Sequence, residues 1–565
     1  MCRMMKPVFN FLLMSFVSIA MCISCNGNED PVRPDDPPII IDVPVDPEFP
    51  TNPQDIDTEG SVVVKFGNQA ATIINPFESM GVTITCQAAN VVVQSTTTDT
   101  ITYILTGSTP EGSLKIYSDT PFELIMNGLD IIHSNDPALN IQSHKRVAVT
   151  LVKGTSNRLV GGMGFISESD SEDMKAAFFS EGQLVFSGEG SLTAISRYRH
   201  AICSDNYIRI NGGTITIPIS ANDGLHANEF IEINDGKVDI NSMGDGMDSE
   251  GYVLITGGSI LITTTGDKSH GIKSVTETTI RTSGDIEINV EGDASKAFKC
   301  GGDMLVSQGI LNLTTSGNAC YDESEGETSS ASGIKCSGNF LLNGGSIEIN
   351  SSGMGGKGIN VGGTITINNG ELAVTTKGDE YKQSNDNTKA KAIKNDGDLT
   401  INGGLIYAYC KTDNAIDTKG SLTITGGTVI GVGNAASKKG LACGKTFKIS
   451  GGTLVGVGGA SGSPTASACT QYVVNYSGAI SQNSFFAIAS SAGKNIMTYQ
   501  APYTSSKAFI LFSSPDLVRN SVYTISSNGS VAGGSSFWGL YDGATYTGGT
   551  SVATFTISAM VTNVN

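Results

Sequence analysis

The chain has 565 residues, 69 of them glycine, with 16% charged residues, 39% apolar residues and one tryptophan. Ordinary helices need long charged faces and few glycines, so a helical protein is excluded, and the apolar content between turns excludes disorder. The net charge of -19 disfavours nucleic acid, which requires a concentrated positive field, and suits cations or cation-bridged ligands. An all-β chain with many turns remains.

Arg3 and Lys6 precede an apolar run over 8–23, which closes on Cys22-Ile23-Ser24-Cys25. The pattern resembles a bacterial lipoprotein signal, cleaved after residue 24 so that Cys25 carries the lipid; the run is short for a membrane span. Residues 26–58 hold eight of the 17 prolines among Asp and Glu, which makes an extended spacer and no core. Asn26-Gly27-Asn28-Glu29-Asp30 is similar to the acidic stretch behind the lipidated cysteine of surface-exposed lipoproteins in Bacteroides-like bacteria. The expected organisation is a signal peptide at 1–24, lipidated Cys25 and a linker at 25–58, and an N-terminal β region with capping coils at 59–183. A parallel β-helix at 184–464 and a C-terminal β unit or cap at 465–565 follow. Membrane contact is expected only through the lipid, on the outer membrane and facing the exterior.

From residue 208 a pattern recurs, apolar-x-apolar-[Asn/Ser/Thr]-Gly-Gly-x-apolar-x-apolar, as at 208–217, 253–262, 399–408, 422–431 and 447–456. The second turn position falls at Gly213, Gly236, Gly258, Gly284, Gly309, Gly345, Gly370, Gly404, Gly427 and Gly452, mostly 22–26 residues apart. Period-two alternation on both sides of a glycine turn means two short strands meeting at a corner. One corner per coil means a solenoid, and the regular leucines of a leucine-rich repeat are absent. The reading is a right-handed parallel β-helix. Asn211, Asn234, Thr256, Asn343, Asn402 and Thr425, each just before the glycines, are expected to stack about 4.8 Å apart in amide and hydroxyl ladders.

A second strip, [Gly/Ala]-apolar-x-small, repeats in phase with the first from Ala201-Ile-Cys-Ser204 to Gly440-Leu-Ala-Cys443, with 138–141 as an earlier copy. Alternation puts the apolar and small positions inside and x outside. Cys300, Cys336 and Cys443 are therefore expected as packing residues, and neither a disulfide framework nor a zinc cluster is indicated. The outward positions show Asp223 with His226, then Asp245 with Asp248, then His270 with Lys273. Lys296 with Lys299, Lys335, Lys357, and Lys391 with Lys394 follow. Stacked carboxylates repel unless a cation lies between them. Calcium takes oxygens at about 2.3–2.6 Å, so Asp223, Asp245 and Asp248, with Asp267 from the next turn, are its expected ligands. An acidic face without a fixed ion and a transition-metal site using the histidines are the alternatives.

These residues carry a family resemblance over roughly 60–480. The Asn-Gly-Gly corners and the Asp-Gly-apolar strip resemble the calcium-binding parallel β-helix carbohydrate-binding family, structurally related to pectate lyases of the ninth polysaccharide-lyase family. The resemblance implies binding of plant cell-wall polysaccharide, acidic pectin (polygalacturonate) and also cellulose, with bound calcium. The related lyases hold calcium on an Asp cluster and use a lysine on a neighbouring coil as base. Asp223, Asp245 and Asp248 match that cluster and Lys273 that lysine, whereas Gly246 stands where the lyases carry a second adjacent aspartate.

A row of similar lysines suits a regular polyanion better than a single base, so a non-catalytic binder is expected. Its ligand-facing residues are His226, His270, Lys273, Lys299, Lys335 and Lys394. The alternatives are a calcium-dependent lyase with Lys273 as base, and a surface scaffold or adhesin without a ligand. Other surface polysaccharide-utilisation proteins are candidate partners. In the tail, 14 of the 38 aromatic residues lie in 465–565, expected mainly as the core of a small antiparallel unit covering the solenoid end, with Trp538 and Tyr541 as an alternative sugar platform.

Overall fold

Short alternating segments broken by glycine corners cannot bury their apolar face singly, and each is completed by the coil stacked on it. The computed structural model describes residues 58–165, 172–383 and 386–565. The expected signal peptide, Cys25 and nearly all of the linker lie outside the described residues. The chain splits into units 1–48 and 49–565, and all that follows concerns the second. The regular elements among its described residues are β-strands and a single 3₁₀ turn at Glu78–Met80.

Two sheets of stacked strands make a β-solenoid of about 14 turns. Among the described residues one sheet has 27 strands and the other 15, the latter running from Val82–Gln87 to Leu441–Cys443. The 15-stranded sheet is the second strip. Its neighbours are parallel throughout, apart from the opening hairpin of Val82–Gln87 with Asn90–Ser95. The parallel stack thus already runs through the segment expected as capping coils.

Register follows the strip pattern. Ile202, Leu225, Met247, Ile272 and Phe298 are successive partners in one buried inward column. The small position runs Ser249, Ser274, Cys300, Cys336 beside it. Cys300 and Cys336 are buried, and their thiols donate to the Thr276 and Gly302 carbonyls. All eight cysteines among the described residues are free.

The 27-stranded sheet passes through the glycine corner as single bent strands such as Tyr207–Ser220 and Phe230–Ser242. Outside the corner the expected ladders form: Asn234 Nδ2 donates to Asn211 Oδ1 at 2.9 Å and Thr256 Oγ1 to Asn234 Oδ1 at 2.8 Å. A second ladder climbs from Asn343 through Asn368 and Asn402 to Thr425 in steps of 2.7–2.8 Å. Gly236 sits at φ 96°, and a Cβ there would lie 2.6 Å from the Gly213 carbonyl oxygen.

The last coil is finished by other geometry. Ser505–Ser513 pairs antiparallel with Thr453–Gly458, and the Thr465 and Thr470 amides donate to the Phe447 and Ile449 carbonyls. A separate antiparallel sheet follows, whose Phe486, Tyr499 and Tyr523 share a core with Ala373, Tyr407, Ile430 and Val455 on the outside of the final coils. Trp538, 43% exposed, stacks on Tyr407 with centroids 4.1 Å apart, and Tyr541 meets Phe485 edge-on. Tyr476, Phe512 and Phe555 are buried in the same core, and Tyr472, Tyr503 and Phe537 pack against it half-buried.

Gly128 has φ 72° with open space around its missing Cβ, whereas Gly236 has both positive φ and a crowded carbonyl. Gly128→Ala should cost about 1–2 kcal/mol of left-handed strain and Gly236→Ala distinctly more, read as denaturation midpoints of the two variants.

Candidate functional site

Each strip segment contributes two side chains to its outer face, one just before the Gly/Ala and one at the x position. The first makes a column His200, Asp223, Asp245, His270, Lys296, Ser332, Lys357, Lys391. The second runs Cys203, His226, Asp248, Lys273, Lys299, Lys335, Asn360, Lys394 in direct register. Towards the N-terminus this face is closed. Residues 172–175 lie over it, with Lys175 2.7 Å from Asp205, and Cys203 is buried with Ala176 and Phe179. The open part begins at His200, where the acids gather.

One oxygen of each first-column aspartate is spent on the stack. Asp223 Oδ1 accepts the Asp245 amide at 2.7 Å, and Asp245 Oδ1 the His270 amide at 2.5 Å. His270 continues this ladder, its Nδ1 accepting the Lys296 amide at 3.2 Å. It is 3% exposed, and burial with Lys296, Lys299 and Lys273 nearby holds its pKa well below the ordinary value. His270 is therefore neutral and turned into the ladder; the structure does not present it to a ligand.

The remaining donors converge. Asp223 Oδ2 lies 3.0 Å from His200 Nδ1 and 3.5 Å from His226 Nδ1, and Asp248 Oδ2 lies 3.4 Å from His226 Nδ1. The two rings stack with centroids 4.4 Å apart. Lys273 Nζ is 2.8 Å from Asp248 Oδ1 and 3.9 Å from Asp245 Oδ2. Burial opposes ionisation of Asp223, yet the two rings hold it well below the usual carboxylate range. Burial, with Asp223 and Asp248 beside it, pushes Asp245 up to about 7. Burial works against the charge on His226, but Asp223 and Asp248 raise it to about 9. Burial also opposes the charge of Lys273, but the Asp248 pair keeps its ammonium above the ordinary lysine value.

Two sets of side chains bring their ligand atoms within 4.8 Å of one another: Asp223, Asp245 and Asp248, and His200, Asp223 and His226. The ring nitrogens His200 Nδ1 and His226 Nδ1 are buried and make no hydrogen bond. Three crowded carboxylates fit a cation, whose charge would relieve the repulsion at Asp245. The oxygen set suits a hard ion such as calcium. Asp267 does not join it; that side chain is exposed and accepts the Asp293 amide at 2.8 Å in a ladder at the neighbouring turn.

Further along the strip the face becomes cationic and walled. Residues 318–331 and 379–390 are insertions between coils, forming the hairpins Cys320–Asp322/Glu327–Ser329 and Tyr381–Lys382/Asn387–Thr388. They touch through the Tyr321 amide to Tyr381 Oη at 3.4 Å and the Thr328 amide to Asp386 Oδ2 at 2.9 Å. The cleft between hairpins and strip, about 660 Å³, is lined by Lys296, Lys299, Lys335, Lys357, Lys391 and Lys394 among others. Lys296 and Lys357, outward on the strip but outside the expected ligand-facing set, are buried against the hairpins. Lys296 Nζ donates to Ser329 Oγ at 2.8 Å, and Lys357 Nζ to Thr388 Oγ1 at 2.8 Å and to the Lys389 carbonyl. The signal available in the sequence was their place in the first column.

A family profile described as carbohydrate-binding domain-containing protein matches residues 87–379 and 353–435. The chain belongs to that family. Carbohydrate binding is the activity that membership supports. A carbohydrate-binding domain-containing protein of Acetivibrio thermocellus is 29% identical over 119 residues, which is 20% of this chain and 41% of the relative. The chain thus spans about two-fifths of that relative's length. A polysaccharide lyase-like protein from C. thermocellum, solved as a gadolinium derivative, is similar over 44% of this chain and 96% of its own, at 24% identity and a TM-score of 0.39. That likeness is weak and concerns part of the fold only.

Burial and the neighbouring lysines lower both Lys296 and Lys357 from the ordinary 10.5 to about 7. Between those values the unfolded chain binds more protons than the folded one, so these two groups make stability rise with pH. Lys296→Met and Lys357→Met should each flatten that rise when melting temperature is followed from pH 7 to 10.

Proposed function

We propose that this chain is a surface-anchored, non-catalytic binder of acidic plant cell-wall polysaccharide, pectin-like polygalacturonate above all and cellulose besides. Calcium at Asp223, Asp245 and Asp248 assists it. A lipid on Cys25 and the proline-rich linker hold it at the outer membrane, facing outward, where other polysaccharide-utilisation proteins are its natural neighbours. The observation carrying this reading is the continuity of one sheet face from a carboxylate cluster into columns of lysines, coil by coil in register. A polyuronate laid along it would place carboxylates against a bound cation at one end and ammonium groups beyond.

The ion would be held by the three aspartates, and its chemistry there is charge neutralisation of a uronate carboxylate. His226 and Lys273 border the cluster and would donate to sugar oxygens. Binding is favoured over β-elimination because Lys273 is one of a row of similar lysines in register along the strip, which suits a regular polyanion better than a single base. A ligand-free scaffold would leave the segregation of acids from lysines without a role.

The purified chain should be retained on polygalacturonate in calcium, about tenfold less in chelator, and should generate no unsaturated-product absorbance. Asp245→Asn with Asp248→Asn should remove the calcium effect. Absorbance that rises with wild type and is lost in Lys273→Ala would make the protein a lyase. No retention with or without calcium would leave the scaffold.

A further inference from the structure

Four lysines in the hairpin-walled cleft lack an acid. Lys391 is paired with Asp413 at 3.3 Å and with Asp417, and Lys394 with Asp396 at 3.5 Å. Lys296 and Lys357, by contrast, bond only to hydroxyl and carbonyl oxygens of the hairpins and adjoining turns. Among the described residues, Lys299 and Lys335 make neither a hydrogen bond nor an ion pair, and both face the cleft. In a protein of net charge -19, uncompensated ammonium groups clustered in a concavity are costly unless a ligand neutralises them. The strain is visible in the mutual effect of these groups: burial and then Lys299 and Lys335 lower Lys296, and burial and then Lys394 lower Lys335.

Three acids also line the cleft, Glu380 paired with Lys382 and Lys389, Asp413 paired with Lys391 and Lys438, and Glu327 on the first hairpin, together with neutral hydrogen-bonding groups. Asn360 and Ser330 border the lysines, and the Thr328 hydroxyl on the first hairpin is buried with no partner. Ammonium groups beside amide and hydroxyl groups match a ligand bearing both carboxylates and hydroxyls. The acid-free lysines occupy three successive coils, Lys296 and Lys299, then Lys335, then Lys357. Neighbouring coils are about 4.8 Å apart, close to one sugar unit of a chain, so the charges repeat along the ligand instead of converging on one anion.

We propose that this cleft is a second subsite, independent of any metal ion, that holds a run of consecutive uronate sugars of an acidic oligosaccharide, with Lys299 and Lys335 contacting carboxylates and the two hairpins as its wall. Lys296 and Lys357 tie one hairpin each to the strip sheet. The inference rests on the acidic-polysaccharide reading above, but it separates from the cation site in both place and chemistry.

Titration calorimetry of the purified full chain with a short oligogalacturonate in excess chelator tests it. Binding is expected in chelator, weakened at least tenfold in Lys299→Gln with Lys335→Gln, and largely restored in Lys299→Arg with Lys335→Arg. The methyl-esterified oligomer should not bind. Absence of binding in chelator, while calcium-dependent retention of the polymer persists, overturns the subsite and leaves the cation-assisted reading standing. Equal binding of the esterified oligomer, or of the glutamine variant with an unchanged melting temperature, overturns it as well. Failure of both polymer and oligomer under every condition removes the broader reading too.

Discussion

Everything on the outer face of this protein follows from parallel strands stacked in register at a spacing of about 4.8 Å. The constraint makes each position of the repeat a column, so a residue type chosen at one coil has its chemical consequences at the next. Apolar columns such as Ile202 to Phe298 become a continuous core. Amide columns become ladders that satisfy side chains as well as backbone. A charged column, in contrast, stacks like charges close together, and the fold must answer each instance.

Two different answers appear on the same face. At the acidic end, Asp223 and Asp245 each turn one oxygen onto the amide of the following coil and crowd the other among His200, His226 and Lys273. At the lysine end the later coils supply Asp396, Asp413 and Asp417, while the earlier ones lean on hairpin hydroxyls and carbonyls. Side-chain compensation is incomplete at both ends, with opposite sign. A carbohydrate-binding family member with such a face carries two kinds of electrostatic attraction within one groove direction.

The repeat, the two glycine-linked strands, the inward column and the small-residue column were all legible in the sequence, because alternation and a glycine corner are local signals repeated in every coil. The gathering of Asp223, Asp245, Asp248 and Lys273 was legible for the same reason, since register alone brings them together. What register does not supply was misplaced or missed. Asp267 lies on a turn whose direction the period leaves open, and there it caps a backbone amide. His270 shares a column with Asp245, yet its ring folds into the ladder. Cys203 is outward by alternation but covered by the segment at 172–175, and Lys296 and Lys357 are enclosed by hairpins inserted from other coils. Each of these depends on a loop, where no repetition averages out the ambiguity.

The 15-stranded sheet reverses strand direction at its first pair, and the 27-stranded sheet at the final coil. The opening hairpin at 82–95 runs antiparallel, and so does Ser505–Ser513 against the final coil. A parallel edge would accept another coil of its own kind, including one from a second molecule, and could propagate into a filament. Strands of opposite sense interrupt the coil repeat at these two edges, whereas the strip sheet ends on the parallel strand Leu441–Cys443. Whole coils added or removed in the interior expose no new edge, so the length of the strip scales with the number of repeats alone.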